Sequence, residues 1–155
     1  MTTILLYNSL SNNKILEEIK IEPTTILDIP KVIELMKAHQ QVAYCEWENF
    51  SLLERTILEN PCTNLIAKKG NEIIGALIGG SFGVRRTISH IALAETYRKK
   101  GVGRALANQA FEGFKSIGIQ RIFLFIMDDN LVAYTFWKEM GFQQVEGETT
   151  LELDL

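Results

Sequence analysis

TISHIALAETYRKKGVGRALANQA, Thr87 to Ala110, decides how the rest of the chain is read. A β-branched, apolar run from Ile88 to Leu93 gives way to a polar turn, then to Arg98, Lys99, Lys100, Gly101, Val102, Gly103 and Arg104, with strong helix formers beyond. That order is strand, glycine turn, helix. A helix start leaves backbone N–H groups without partners and carries the positive end of the macrodipole, so it can hold an anion. Gly101 and Gly103 keep side chains off that backbone, and Arg98, Lys99, Lys100 and Arg104 bring cations to it in a chain whose net charge is −3. A local basic spot on an acidic chain points to a defined phosphate ligand rather than a diffuse polyanion.

The 155 residues, 46% hydrophobic and 23% charged, suit one globular domain with a substantial core. The acidic balance and the lack of a basic stripe interleaved with aromatics exclude a general nucleic-acid surface. Cys45 and Cys62 have no pairing motif, and no His or Cys cluster has metal-ligand spacing, so free thiols in a reducing compartment and no metal are expected. The start, MTTILLYNSLSNNK, has too short an apolar run and no basic flank for a secretory signal, and no stretch reaches membrane-spanning length. The expected location is the cytoplasm, without a membrane partner.

Residues 1–15 read as an N-terminal arm or extra strand, with Ile4 to Tyr7 as the strand candidate. The domain proper then spans 16–155. A first strand is expected from Leu16 to Ile21, then a helix capped by Asp28 with Pro30 in its first turn. Between His39 and Phe50 the chain is polar and aromatic; Glu46 and Glu48 beside Tyr44 and Trp47 would suit an amine, or the segment is a solvated connection. Ser51 and Glu54 predict a capping box for a second helix that stops before Asn60 and Pro61. Strands at Thr63–Lys68 and Glu72–Ile78 flank a Gly70-Asn71 turn, and Gly79 to Gly83 read as a break before Arg85 and Arg86.

After Gly103 the spacing of Leu106, Ala107, Ala110, Phe111, Phe114 and Ile117 gives a helix with one buried face, closed at Gly118. Ile122 to Met127 reads as an interior strand covered on both faces. A short helix from Leu131 to Met140 stops at Gly141, and Phe142–Val145 and Thr150–Leu155 alternate as a closing pair of strands.

Two separated segments resemble one superfamily. Arg98-x-x-Gly101-x-Gly103, set after a strand ending at Leu93, resembles motif A of the GNAT N-acetyltransferases, and Asn130, Ala133, Phe136, Gly141 and Phe142 resemble their motif B. The resemblance implies an α+β GNAT fold: a mixed, mostly antiparallel sheet of about six to seven strands, helices on both faces, splayed between the fourth and fifth family strands. It also implies acetyl-CoA as co-substrate. The pyrophosphate would rest on the amides of Arg98, Lys99, Lys100, Gly101, Val102, Gly103 and Arg104. Backbone groups of Ile91, Ala92 and Leu93 would pair with the pantetheine amides and polarise the thioester carbonyl, while Asn130, Ala133 and Trp137 would stand beside the cofactor.

Departures from the family pattern bear on the chemistry. Where many members carry a tyrosine that protonates the leaving thiolate, this chain has Trp137, a donor but not a practical acid. Tyr134, one turn earlier, is the candidate acid. On the central strand, positions where relatives carry Glu or His fall on Thr87 and Ser89; Ser89 is then a substrate contact rather than a base. His90 is turned by alternation to the other face, with Ile88 and Ala92, as a packed or hydrogen-bonded residue. The base would be a water chain ending on Glu46 or Glu48. Arg85 is a candidate contact for an acidic group on the acceptor.

The resulting expectation is an acetyl-CoA-dependent N-acetyltransferase acting by direct attack of a primary amine of a small metabolite, as a monomer or homodimer. A peptide N-terminus as acceptor, or an acyl-CoA-binding module without turnover, are the alternatives. A nucleotide regulator would need a Walker-type Gly-Lys-Ser/Thr ending, which the glycine turn lacks.

Overall fold

The computed structural model describes residues 14–39, 42, 44–45, 48–82, 85–148 and 150. The strand candidate at Ile4–Tyr7, Glu46, and all but Thr150 of the expected last strand lie outside them. The elements are β1 (Ile19–Pro23), a 3-10 turn (Ile26–Asp28), α1 (Ile29–Lys37), α2 (Phe50–Glu59), β2 (Leu65–Lys69), β3 (Glu72–Phe82), β4 (Arg85–Leu93), a second 3-10 turn (Glu95–Tyr97), α3 (Val102–Ser116), β5 (Ile122–Leu124) and α4 (Leu131–Glu139). Residues up to Phe125 form one compact unit and those from Ile126 a second.

In the first unit the strands lie in the order β1-β2-β3-β4-β5. Neighbours from β1 to β4 are antiparallel, and β5 runs parallel to β4, so the sheet is mixed. The apolar stripes of α1 (Ile29, Val32, Leu35, Met36) and α2 (Leu53, Ile57) close over Ile66, Ala76, Ile78 and Ala92. Gly75 and Gly79 of β3 are glycines for a packing reason: a Cβ on Gly75 would lie 3.1 Å from Leu106 Cδ1 of α3, and one on Gly79 2.9 Å from Phe114 Cζ. β3 therefore runs on through Gly79 and Gly80 to Phe82 rather than breaking, Gly79 leaving room where α3 presses on the strand.

Several boundaries differ from the sequence reading. A helical turn occupies 14–17, and the first strand starts later, at Ile19. Asp28 does not cap α1; its carboxylate turns back to accept the Thr25 amide at 2.8 Å and hydroxyl at 2.6 Å. Asn49 rather than Ser51 caps α2, accepting the Leu52 amide at 3.3 Å.

The described sheet has five strands, not six to seven. Phe142–Val145 forms no strand because Phe142 is used to end α4: its amide donates to the Trp137 carbonyl at 3.0 Å while Gly141, at φ +96°, takes the left-handed conformation. β5 covers only Ile122 to Leu124 and is half-buried. By Met127 the chain is already turning, since the Met127 carbonyl accepts the Asn130 amide at 2.8 Å.

Candidate active site

The approach to α3 leaves its first amides outside the helical ladder. After the 3-10 turn, Lys99 (φ +58°) and Gly101 (φ +87°) both take left-handed backbone, and Gly101 is the N-cap of α3 with no side chain capping it. The first intrahelical bond is Ala105 N–H to the Gly101 carbonyl, so the amides of Val102, Gly103 and Arg104 have no place in the helical ladder. Val102 is buried and anchors the turn, while Lys99 and Arg104 lie at the surface. Lys100 stands over the Tyr97 ring at 5.7 Å. Arg98 reaches back to the imidazole of His39, and both line a cleft of about 260 Å³ with Glu34, Glu72 and Glu95.

Beside this turn β4 presents an edge left open by the described residues. Parallel pairing with β5 covers Arg86 to Ile88 and ends there, although β4 continues to Leu93. Ala94 donates its amide to Ile74 at 2.8 Å, so by antiparallel alternation Ile91 and Leu93 turn their own N–H and C=O away from β3. Ile78 pairs with His90 and Gly79 with Ile88, which leaves Ser89 as a bulge. Fully buried Asn64 holds the opposite side of that bulge, donating to the Gly79 carbonyl at 2.9 Å and the Asn60 carbonyl at 2.7 Å while accepting the Gly79 amide at 3.3 Å.

On the α1–α2 face, His90 is buried with its Nε2 3.4 Å from Glu48 Oε1. The other Glu48 oxygen accepts the Cys45 amide at 2.8 Å. Tyr44 donates its hydroxyl to the Glu48 carbonyl and tilts against the imidazole, ring centres 6.2 Å apart. Burial pushes the Glu48 carboxyl up, but the hydrogen bonds from His90 and Cys45 outweigh it and hold it below the ordinary range. Burial and the Glu48 charge raise the Tyr44 phenol, which stays a donor.

The other predicted residues are distributed as follows. Ser89 is exposed and donates its hydroxyl to the Ile78 carbonyl at 3.3 Å. Arg85 is also exposed, its guanidinium 4.9 Å from the centre of the Phe123 ring. In the second unit the Asn130 side chain caps α4 by accepting the Ala133 amide at 3.0 Å. Trp137 is buried, edge-on to Phe136 and Phe142 at 4.8 and 5.1 Å, whereas Tyr134 is 41% exposed. The Cys62 thiol is half-buried, 3.7 Å from the Gly113 carbonyl oxygen. The sequence reading gave His39 no role and expected His90 to be a packed or hydrogen-bonded residue on the buried face, which is where it lies, but named no partner for it; each meets its partner across a long stretch of chain, so no local pattern marks the pairs.

Chain comparison settles what strand, glycine turn and helix leave open: residues 28–142 match the model of the acetyltransferase (GNAT) family. The chain belongs to that family. The match includes both resembling segments. Among curated proteins this GNAT chain is similar to an acetyltransferase of Pectobacterium atrosepticum, 23% identical over 94 residues that make up 61% of this chain and 67% of that one. Among solved structures it shares its fold with Arabidopsis thaliana Naa50 in complex with a CoA-peptide bisubstrate analogue (TM-score 0.70, 16% identity, 83% of this chain and 85% of that one). It does so equally with an aminoglycoside acetyltransferase from an uncultured soil metagenomic sample in complex with sisomicin (TM-score 0.72, 19% identity, 91% and 99%). At these identities the structural likeness speaks to fold alone.

Proposed function

We propose that this GNAT protein transfers the acetyl group of acetyl-CoA to a primary amine on a small, amine-rich acceptor, by direct attack on the thioester. The observation that carries the reading is the uncapped N-terminus of α3 lying just beyond the open edge of β4. The amides from Arg98 to Arg104, with Lys99, Lys100 and Arg104, have the charge and conformation for a pyrophosphate. The outward backbone groups of Ile91 and Leu93, with Ala92 between them, suit an extended arm with amides of its own, and a donor there would polarise the thioester carbonyl. Asn130, Ala133 and Trp137 are carried over from the family pattern as further cofactor neighbours.

On the acceptor side, a half-buried carboxylate at Glu48 beside Tyr44 favours an ammonium group, with Glu46 as a second carboxylate in the same segment. Arg85 stacks on Phe123, which weakens the case for an acidic acceptor; Ser89 remains a contact at the strand edge. Tyr134 is the proposed donor of a proton to the leaving thiolate.

Thiol release from acetyl-CoA, measured across spermidine, an aminoglycoside and an N-terminal alanyl peptide, tests the proposal. Release with the polyamine or aminoglycoside is expected. Release with the peptide alone would move the acceptor to a protein N-terminus, and tight coenzyme binding with no release on any amine would make the protein a binding module.

A further inference from the structure

We infer that His39 is a positioning residue for the coenzyme: through Arg98 it holds the turn ahead of α3 in its anion-binding form, and it lets go when it takes up a proton. The inference rests on the coenzyme being held at that turn, as proposed above. The sequence puts Arg98 among the cations of the phosphate site. The structure instead sets its guanidinium in the cleft beside the end of α1, against the His39 imidazole.

The turn needs support from outside itself. Lys99 takes left-handed backbone at φ +58°, and Gly101 does so two residues on, at φ +87°. A non-glycine residue stays in that region only where its surroundings hold it there. Among the described residues the turn is flanked by buried Val102, by Leu16, whose Cδ1 would lie 3.2 Å from a Cβ on Gly101, and by the contact of Arg98 with His39. Of these, the last depends on a group that titrates close to neutral pH.

That contact requires a neutral imidazole. Arg98 is a cation at every working pH and offers only N–H donors, so a ring nitrogen of His39 supplies the lone pair. An imidazolium has no lone pair to give and repels the guanidinium. The charged groups that line the cleft with the ring are Glu95 and Arg98 ahead of α3, Lys31 and Glu34 of α1, and Glu72 of β3. Glu34 is taken by Lys31 at 2.8 Å, so Glu72 and Glu95 are the carboxylates that would draw a displaced guanidinium. Burial and the Arg98 charge keep the His39 pKa below the usual histidine value, so the contact is intact at neutral pH and is lost on acidification. Coenzyme that selects the supported turn also selects neutral His39. By linkage, acid then weakens binding, and binding in mild acid releases a proton.

Calorimetry with dephospho-coenzyme A, which keeps the diphosphate but lacks the titrating 3′-phosphate, tests this on wild type, His39→Gln and His39→Ala from pH 8 to 5. Glutamine keeps an acceptor for Arg98 but does not titrate. Between those limits wild type should lose about fivefold more affinity than His39→Gln, the low end for coupling between two sites. Titrations in buffers of different ionisation enthalpy should show wild type releasing more protons on binding than His39→Gln. At pH 8 His39→Ala should bind more weakly than His39→Gln, which restores the acceptor. Should His39→Ala not fold, the pH curves of the other two decide alone. Parallel curves, equal proton release, or His39→Ala binding as well as His39→Gln overturns the assignment, since a residue that only props the fold would weaken binding alike at every pH. Amide shifts on adding the nucleotide that fall outside Arg98 to Arg104 would instead sink the placement of the coenzyme on which the inference rests.

Discussion

The guanidinium of Arg98 lies against the imidazole of His39, 59 residues earlier in the chain. The contact ties the residues just after α1 to the turn ahead of α3. Burial lowers the His39 pKa, and the Arg98 charge lowers it further, against smaller opposing effects from Leu93 and Glu95. The unfolded chain therefore takes up the proton more readily than the folded one. Stability from this contact is present above the ordinary histidine value of about 6.5 and is lost as pH falls through the lower folded value. Thermal melts from pH 8 to 5 should show wild type losing more Tm than His39→Gln; parallel curves would contradict the coupling.

Asn64 spends both ends of its amide on backbone groups of α2 and β3, and it holds the strand opposite the Ser89 bulge. Asn64→Ala strands those buried groups and should cost about 3 kcal/mol in urea unfolding. A loss under about 1 kcal/mol would show that the bulge stands without it.

Gly113 is where α3 passes closest to the loop before β2: an added Cβ would fall 2.1 Å from the Cys62 carbonyl oxygen. Gly113→Ala should destabilise by about 2 kcal/mol or more through overpacking. If the variant melts with wild type, α3 does not lie as close as described.

Much of this architecture was legible in the chain. The Gly70-Asn71 turn, the closure of α3 at Gly118 (φ +79°) and of α4 at Gly141 follow from residues whose local preferences and tertiary roles agree. Errors arose where they do not. Gly79 and Gly80 signal a break locally, yet the strand runs through both and Phe114 needs the space that Gly79 leaves. Phe142 alternates like a strand residue, yet its amide ends a helix. The basic glycine turn was visible because its residues are contiguous, whereas the acceptor-side pair joins Glu48 and His90 through the fold alone.

Tyr134 brings an exposed phenol to α4, while Trp137 is buried. Tyr134→Phe should lower kcat by about 10-fold or more, the lower part of the range for removing a proton donor, with coenzyme affinity little changed. Unchanged turnover would remove Tyr134 from the chemistry and leave protonation of the thiolate to solvent.

Lys68 bridges Glu22 at 2.6 Å and Asp28 at 3.3 Å, locking β1 and the start of α1 to β2. Burial pushes the Asp28 carboxyl up, but hydrogen bonds from Thr25 and Lys68 outweigh it and set its pKa below the ordinary value. Its contribution is present above about pH 4 and is lost as pH falls through the folded pKa. Asp28→Asn should therefore melt below wild type at pH 7, with the gap narrowing towards pH 3. A gap independent of pH would assign the loss to packing instead.

Backbone amide shifts on adding coenzyme A put the account to its hardest trial. The amides of Gly101, Val102, Gly103 and Arg104 should move most, followed by those of Ile91 and Leu93. Large shifts confined to other segments, or none at saturating coenzyme, would contradict the account.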